Sequence, residues 1–223
     1  MKLKKIASLM LAGIMAVSML AGCKSGTPNS NPNEGDEGNT TSGYSAMLGE
    51  AVADTLKDAK HDDVVTFADN GDDQIALEDA LGNIGATDIR NAAAMATLQT
   101  LKNNDAKADF KDAAKLHRDT LINGTNFFDG VSNVNNTRKV GQIYYIDGSV
   151  EMSKVIDQIA TQTKTAFTNL QESATVSGSN STSTEYKFDY TVSVSVVNVP
   201  ATSDTHFVGS VNFIAVTVTR TVA

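Results

Sequence analysis

From Tyr186 to Val196 every second residue is apolar: Tyr186, Phe188, Tyr190, Val192, Val194 and Val196 alternate with Lys187, Asp189, Thr191, Ser193 and Ser195. Successive side chains leave a β-strand on opposite faces, so this pattern demands an extended segment with one face buried and one polar. A strand this long needs a partner, and the sequence supplies one. Beyond a turn at 200–204 a second strand begins near Phe207. In it Val211 and Phe213 share one parity, while Ile214, Val216 and Val218 share the other. A bulge at 213–215 would turn both sets to the same side. If the segment 208–222 is a sheet edge, its N–H and C=O groups are open to a partner strand, with Arg220 and the threonines limiting self-association.

The preceding residues set the rest of the fold. Tyr44, Met47, Leu48, Ala51, Val52, Leu56 and Ala59 recur at helical spacing. Val64, Val65 and Phe67 form a short β-like run. Asp72 or Asp73 then serves as the cap of a short helix reaching Leu81, and Thr87 as the cap of an alanine-rich one. A further helix is expected over 105–122, its stripe Ala106, Phe110, Ala113, Ala114, His117 and Leu121. The Asn- and Gly-dense segment 123–137 reads as a loop pinned by Phe127 and Phe128. A strand over 139–146 leads to a helix capped by Ser149, with Met152, Val155, Ile156, Ile159, Ala166, Phe167 and Leu170 on one stripe. The polar stretch 173–184 reads as another loop. The class is therefore α+β: a helical N-terminal half followed by a β-α-β-β unit with a long C-terminal antiparallel hairpin.

None of this includes the first 43 residues. Lys2, Lys4 and Lys5 precede an apolar run from Ile6 to Leu20, which is shorter than a membrane-spanning helix requires. The run closes on Leu20-Ala21-Gly22-Cys23. This resembles the lipobox of bacterial lipoproteins, with small residues in front of a cysteine. The resemblance implies a signal peptide over 1–22, a diacylglyceryl thioether on Cys23, and cleavage before that residue. Two acyl chains suffice for stable anchoring where one does not. Residues 24–43 hold nothing aliphatic or aromatic larger than proline, so they read as a flexible tether of about 25 Å root-mean-square span. The folded domain is assigned to 44–223. The tether resembles those of Gram-positive lipoproteins, which implies a domain on the extracytoplasmic face of the cell membrane, facing the wall. In a two-membrane cell, the absence of Asp after Cys23 would favour the outer membrane.

Cys23 is the sole cysteine, so the domain has no disulfide, thiol nucleophile or cysteine metal ligand. Three lysines and no acid precede it, so the net charge of −8 becomes −11 after cleavage. A domain this acidic gains nothing from phosphates, which weighs against nucleic-acid binding. Anionic headgroups would repel it, leaving membrane attachment to the lipid.

Motifs that carry chemistry are few. In Ala68–Asp79, with Ile75 at the eighth position of a calcium loop, Asn70, Asp72 and Asp79 fall at the third, fifth and twelfth. The arrangement resembles the dockerin variant that ends in Asp. It departs from it at the first position, where Ala68 replaces a carboxylate, and at the sixth, where Asp73 replaces glycine. A polar turn with a helix N-cap accounts for the same residues without calcium, and no other cofactor is indicated. His117 on its helical stripe reads as a core histidine, His61 beside Asp62 and Asp63 as a solvated turn, and His206 as an exposed hairpin residue. No HExxH, GxSxG, SxxK, GxGxxG or P-loop pattern occurs. Tyr186, Phe188 and Tyr190 read as core in preference to a ligand groove. The expectation is a membrane-anchored binding or interaction module without catalysis, meeting a protein or glycan of the cell envelope. The alternative is an envelope hydrolase with dispersed acidic residues.

Overall fold

The computed structural model describes residues 43–102, 104–121, 126–129, 131, 134–177, 183–203 and 206–223. Cys23 and the segments read above as a signal peptide and a tether, up to residue 42, lie outside the described residues. The elements run α1 (Tyr44–Ala59), β1 (Val65–Phe67), α2 (Gly71–Leu81), α3 (Ala86–Ala92), β2 (Gln99–Thr100), α4 (Asp105–Ala113), β3 (Arg138–Asp147), α5 (Met152–Thr168), β4 (Ser173–Ser177), β5 (Ser183–Ser203) and β6 (His206–Val222). The class is α+β, helices first and a long C-terminal hairpin last. Among the described residues no helix is long and apolar enough to cross a membrane.

The sheet runs β1-β5-β6-β3-β2, with β4 also paired to β5. All pairings are antiparallel except β1 with β5. β6 is therefore interior, flanked by β5 and β3, so the case of an open edge strand at 208–222 does not arise. Its register with β5 runs unbroken from Phe188↔Val222 to Ala201↔Gly209, and the one irregularity lies at Ala201/Thr202. The expected bulge at 213–215 is absent because none is needed. Val211, Phe213 and Ala215 enter one apolar core, with Leu77 of α2, Ile89 of α3 and Phe110 of α4. Ile214, Val216 and Val218 enter a second core on the opposite face, with Leu48 of α1 and Ile159 of α5. A strand buried on both faces reads as continuous apolar sequence, and the result is three layers, helix–sheet–helix.

β5 needs more elaborate treatment because its outer edge is only partly covered by strands. β4 pairs with 183–187 and β1 with 190–192. Beyond them, side chains stand in for a strand. The Val194 N–H donates to Ser45 Oγ at 2.9 Å. The Gln74 amide closes a two-way pair with Val196, accepting from its N–H at 3.2 Å and donating to its carbonyl at 3.1 Å. Backbone groups that would otherwise be buried unpaired, or left open for aggregation, are thus taken. β4 itself falls where a loop was expected. Its Ser/Thr composition leaves mostly exposed side chains, so no hydrophobic pattern betrays it, and pairing with β5 alone makes it a strand.

The opposite edge explains a second departure. The helix expected over 105–122 stops at Ala113, and Lys115 takes a left-handed conformation (φ 56). The chain then lies along β3. His117 N–H donates to Lys139 O at 2.7 Å, and Gly141 N–H to Arg118 O at 3.0 Å. Covering β3 outweighs continuing the helix. His117 consequently faces solvent, not the core. His61 moves the other way. α1 ends in a left-handed Lys60 (φ 62) that turns the next residue inward, so His61 is buried and its Nδ1–H donates to Phe167 O of α5 at 3.1 Å. The expected caps shift too. Asn70 caps α2 by accepting from Asp72 N–H and Asp73 N–H, Gly85 precedes α3, and Glu151 precedes α5 without a side-chain cap. Ser149 instead donates to Asp147 Oδ1. Phe127 and Phe128 are buried as expected, and Arg118 holds their segment by donating to the carbonyls of Phe127 and Asp129.

The two cores share the sheet but not side chains, so truncations should add. Leu48→Ala and Leu77→Ala, each at a fully buried position, are expected to cost about 2–5 kcal/mol apiece in urea unfolding and to sum within about 0.5 kcal/mol in the double variant. A coupling several times larger would contradict the separation. Tyr190, whose hydroxyl donates to Gln171 O at 2.7 Å, has its pKa pushed up to about 12 by burial. Such a group favours the folded state fully below the usual phenol value of about 10, and its contribution fades as pH rises from there to 12. Tyrosinate absorbance should show Tyr190 ionising late, and Tyr190→Phe should flatten that part of the stability–pH curve.

Candidate functional site

The polar half of the β5 pattern meets solvent at Lys187, Asp189 and Thr191 but turns inward beyond them. Ser193 and Ser195 are buried, as is Thr217, which faces Ser193 across the β5–β6 register. α2 closes over this stripe because Asn70 fixes its start and Ala76, Leu77, Ala80 and Leu81 pack downward. That places Asp73, in the first turn, against the sheet with 1% of its surface exposed. A buried carboxylate requires a counter-charge and hydrogen bonds. Lys139 of β3 provides the charge, bonded to Asp73 Oδ1, and Thr217 Oγ1 donates to Asp73 Oδ2 at 2.7 Å. Three elements distant in sequence are tied by this one group.

Above the ion pair opens a wide cleft of about 630 Å³. One wall is α2, with Asn70, Asp72, Asp73, Ile75, Ala76 and Asp79. The other is the C-terminal end of α4, with Ala113, Ala114 and the left-handed Lys115. Thr137, Lys139 and Thr219 form the floor. Ile75 is 58% exposed, a large apolar side chain at the rim.

The calcium-loop residues Asn70, Asp72 and Asp79 all line this cleft, but not as a loop. Residues 71–81 are helical, so Asp72 and Asp79 lie about 10 Å apart along one axis at roughly 1.5 Å per residue. The Asn70 Oδ1 is occupied by the backbone N–H groups of Asp72 and Asp73. The histidines contribute nothing here: His61 is on the α1–α5 side of the sheet and His117 is at the β3 edge. His206 pairs with Ser203 at the tip of the hairpin, and its side chain lies outside the described residues. Phe188 and Tyr190 belong to the α1–α5 core, with Tyr186 partly buried against it.

Sequence reasoning missed Lys139, Thr217 and the role of Asp73. The one available signal was the unusual run of Ser193, Ser195, Thr217 and Thr219 on strands otherwise rich in valine, since a polar stripe on a central sheet must be answered by polar groups above it. Comparison with family models, curated proteins and solved structures finds no match to this chain.

Asp73→Asn removes the counter-charge from Lys139 at a nearly closed position. It is expected to lower unfolding free energy by about 3 kcal/mol, because an uncompensated buried charge remains. Asp73→Asn with Lys139→Met should recover a substantial part of that loss, and denaturant titration of both variants checks it.

Proposed function

We propose that this chain is a lipid-anchored extracytoplasmic protein that presents the α2–α4 cleft as a non-catalytic binding surface. The anchor rests on the Leu20-Ala21-Gly22-Cys23 segment behind a basic, apolar leader, and on a fold whose first helix starts at Tyr44, some twenty residues beyond the cysteine. The observation that carries the binding reading is the distribution of charge in the cleft. Among the described residues, every acid that lines it belongs to α2, while the facing wall and the floor bring lysines and threonines. Hydrolysis of a glycosidic bond calls for two carboxylates flanking that bond from opposite sides, and the described residues of the cleft present acid on one side only. A wide groove with acids on one wall and lysines and hydroxyls on the facing wall and floor suits a polar envelope ligand, a protein segment or glycan, held by several hydrogen bonds.

The anchor is tested by growing expressing cells with a radiolabelled fatty acid. The chain is expected to take up label and to fractionate with membranes, and Cys23→Ser to lose both. Label retained by Cys23→Ser, or a native chain found in the cytosol with residues 1–22 attached, would refute the anchor. The binding reading is tested separately with soluble wall-glycan fragments. Release of new reducing ends, abolished by Asp79→Asn, would replace it with the envelope-hydrolase alternative.

A further inference from the structure

On the face of the sheet opposite the cleft, a row of residues crosses three strands at one register: Tyr190 of β5, Arg220 of β6 and Arg138 of β3. Arg220 has 2% of its surface exposed and is among the largest fully buried side chains of the protein. Its guanidinium carbon lies 4.6 Å from the Phe188 ring centroid and 4.9 Å from that of Phe128. These rings provide cation–π attraction, which is strongest where water is excluded. They supply no hydrogen-bond acceptor.

The nitrogens are the anomaly. Arg220 Nε and Nη2 are buried with no hydrogen-bond partner among the described residues, and so is the Nε of Arg138. No ion pair among the described residues includes either arginine. A buried, unpaired cation is among the least tolerated groups in a protein interior, and a second cation beside it compounds the cost. Burial lowers the Arg220 pKa; Tyr190 opposes this, and the charge of Arg138 adds to it. Arg118, by contrast, donates to three backbone carbonyls, so the fold pairs a guanidinium when it uses one as a structural clamp. The geometry of the free pair is also specific. Nε–H and Nη2–H point along the same edge of a guanidinium, the edge that grips two oxygens of one carboxylate or phosphate. Arg138 is partly exposed, next to exposed residues 135–137, so the Arg138 side of the site is the one nearest solvent, although the unpaired nitrogens themselves are enclosed.

We propose that Arg220 and Arg138 form an oxyanion-binding site, in which a carboxylate or phosphate group takes two hydrogen bonds from the Nε/Nη2 edge of Arg220 and a third from Arg138. The site is separate from the α2–α4 cleft and does not depend on the role assigned to that cleft. A carboxylate and a phosphate meet the same two-donor edge, and the choice between them is experimental.

The test uses the full chain purified in neutral detergent. Sodium phosphate and sodium acetate are titrated in parallel against sodium chloride at equal ionic strength, so that general screening is matched. Arginine Nε–H resonances and the thermal midpoint are followed, with the Arg220 resonance assigned by its absence in Arg220→Lys. A saturable shift of that resonance, with a rise in midpoint that chloride does not give, is expected from one anion or both. Response to acetate alone identifies a carboxylate ligand, and response to phosphate alone a phosphate. Arg220→Lys keeps the charge but loses the two-donor edge, and should bind at least about tenfold more weakly. Arg138→Gln, at a partly exposed position, should weaken binding severalfold and covers the case in which Arg220→Lys does not fold. The proposal is overturned if neither anion shifts the Arg220 resonance, or if affinity is unchanged in the folded variant.

Discussion

The hairpin of β5 and β6 is the constraint from which the other elements follow. β6 is hydrogen-bonded on both sides and buried on both faces over most of its length, its alternate residues filling two separate cores. An interior strand of this length must be covered above and below. α1 and α5 take one face, and α2, α3 and α4 the other. The helices are short or only moderately amphipathic and have little reason to persist alone. They are helices because the sheet offers each an apolar stripe.

Strand edges shape the connections in the same way. β5 outruns β1 and β4, and Ser45 and Gln74 complete its ladder from the helices. β3 outruns β2, and the segment after α4 gives up its helix to run beside it. In both cases buried backbone groups are satisfied, and in the second this decides local conformation against the helical pattern of the residues concerned. The same economy locates the buried charges. Asp73 is answered by Lys139 and Thr217 on one face. On the other, Arg220 has aromatic rings but no acceptor among the described residues. The contrast between an answered and an unanswered charge distinguishes a structural tie from a place prepared for something else.

Much of the fold was legible in the sequence because periodicity reports burial directly. The alternation at 186–196 gave a strand, the stripes of α1 and α5 gave helices, and their order gave the class. The failures are equally physical. Mixed parity in 211–218 was read as a bulge because a one-sided sheet was assumed, whereas two covered faces explain it without one. β4 carries no apolar signal. His61 and His117 were assigned opposite environments to those found, because each follows a left-handed turn at a lysine, Lys60 or Lys115, a conformation that lysine does not advertise. Of the cleft, Asn70, Asp72 and Asp79 were singled out for the wrong geometry: they share a wall, but a helix spreads them apart.

By itself the sequence determined the long paired strands, the helical character of the first half, the acidity of the domain and the lipobox-like segment at Cys23, since each is a local property of composition or period. Tertiary structure alone decided which strand is central, which faces are covered and which charges meet. Asp73 and Lys139 are 66 residues apart, and Arg138 and Arg220 are joined only by the β3–β6 register. Such pairings arise when distant segments close on a common sheet, and no period in the chain encodes them.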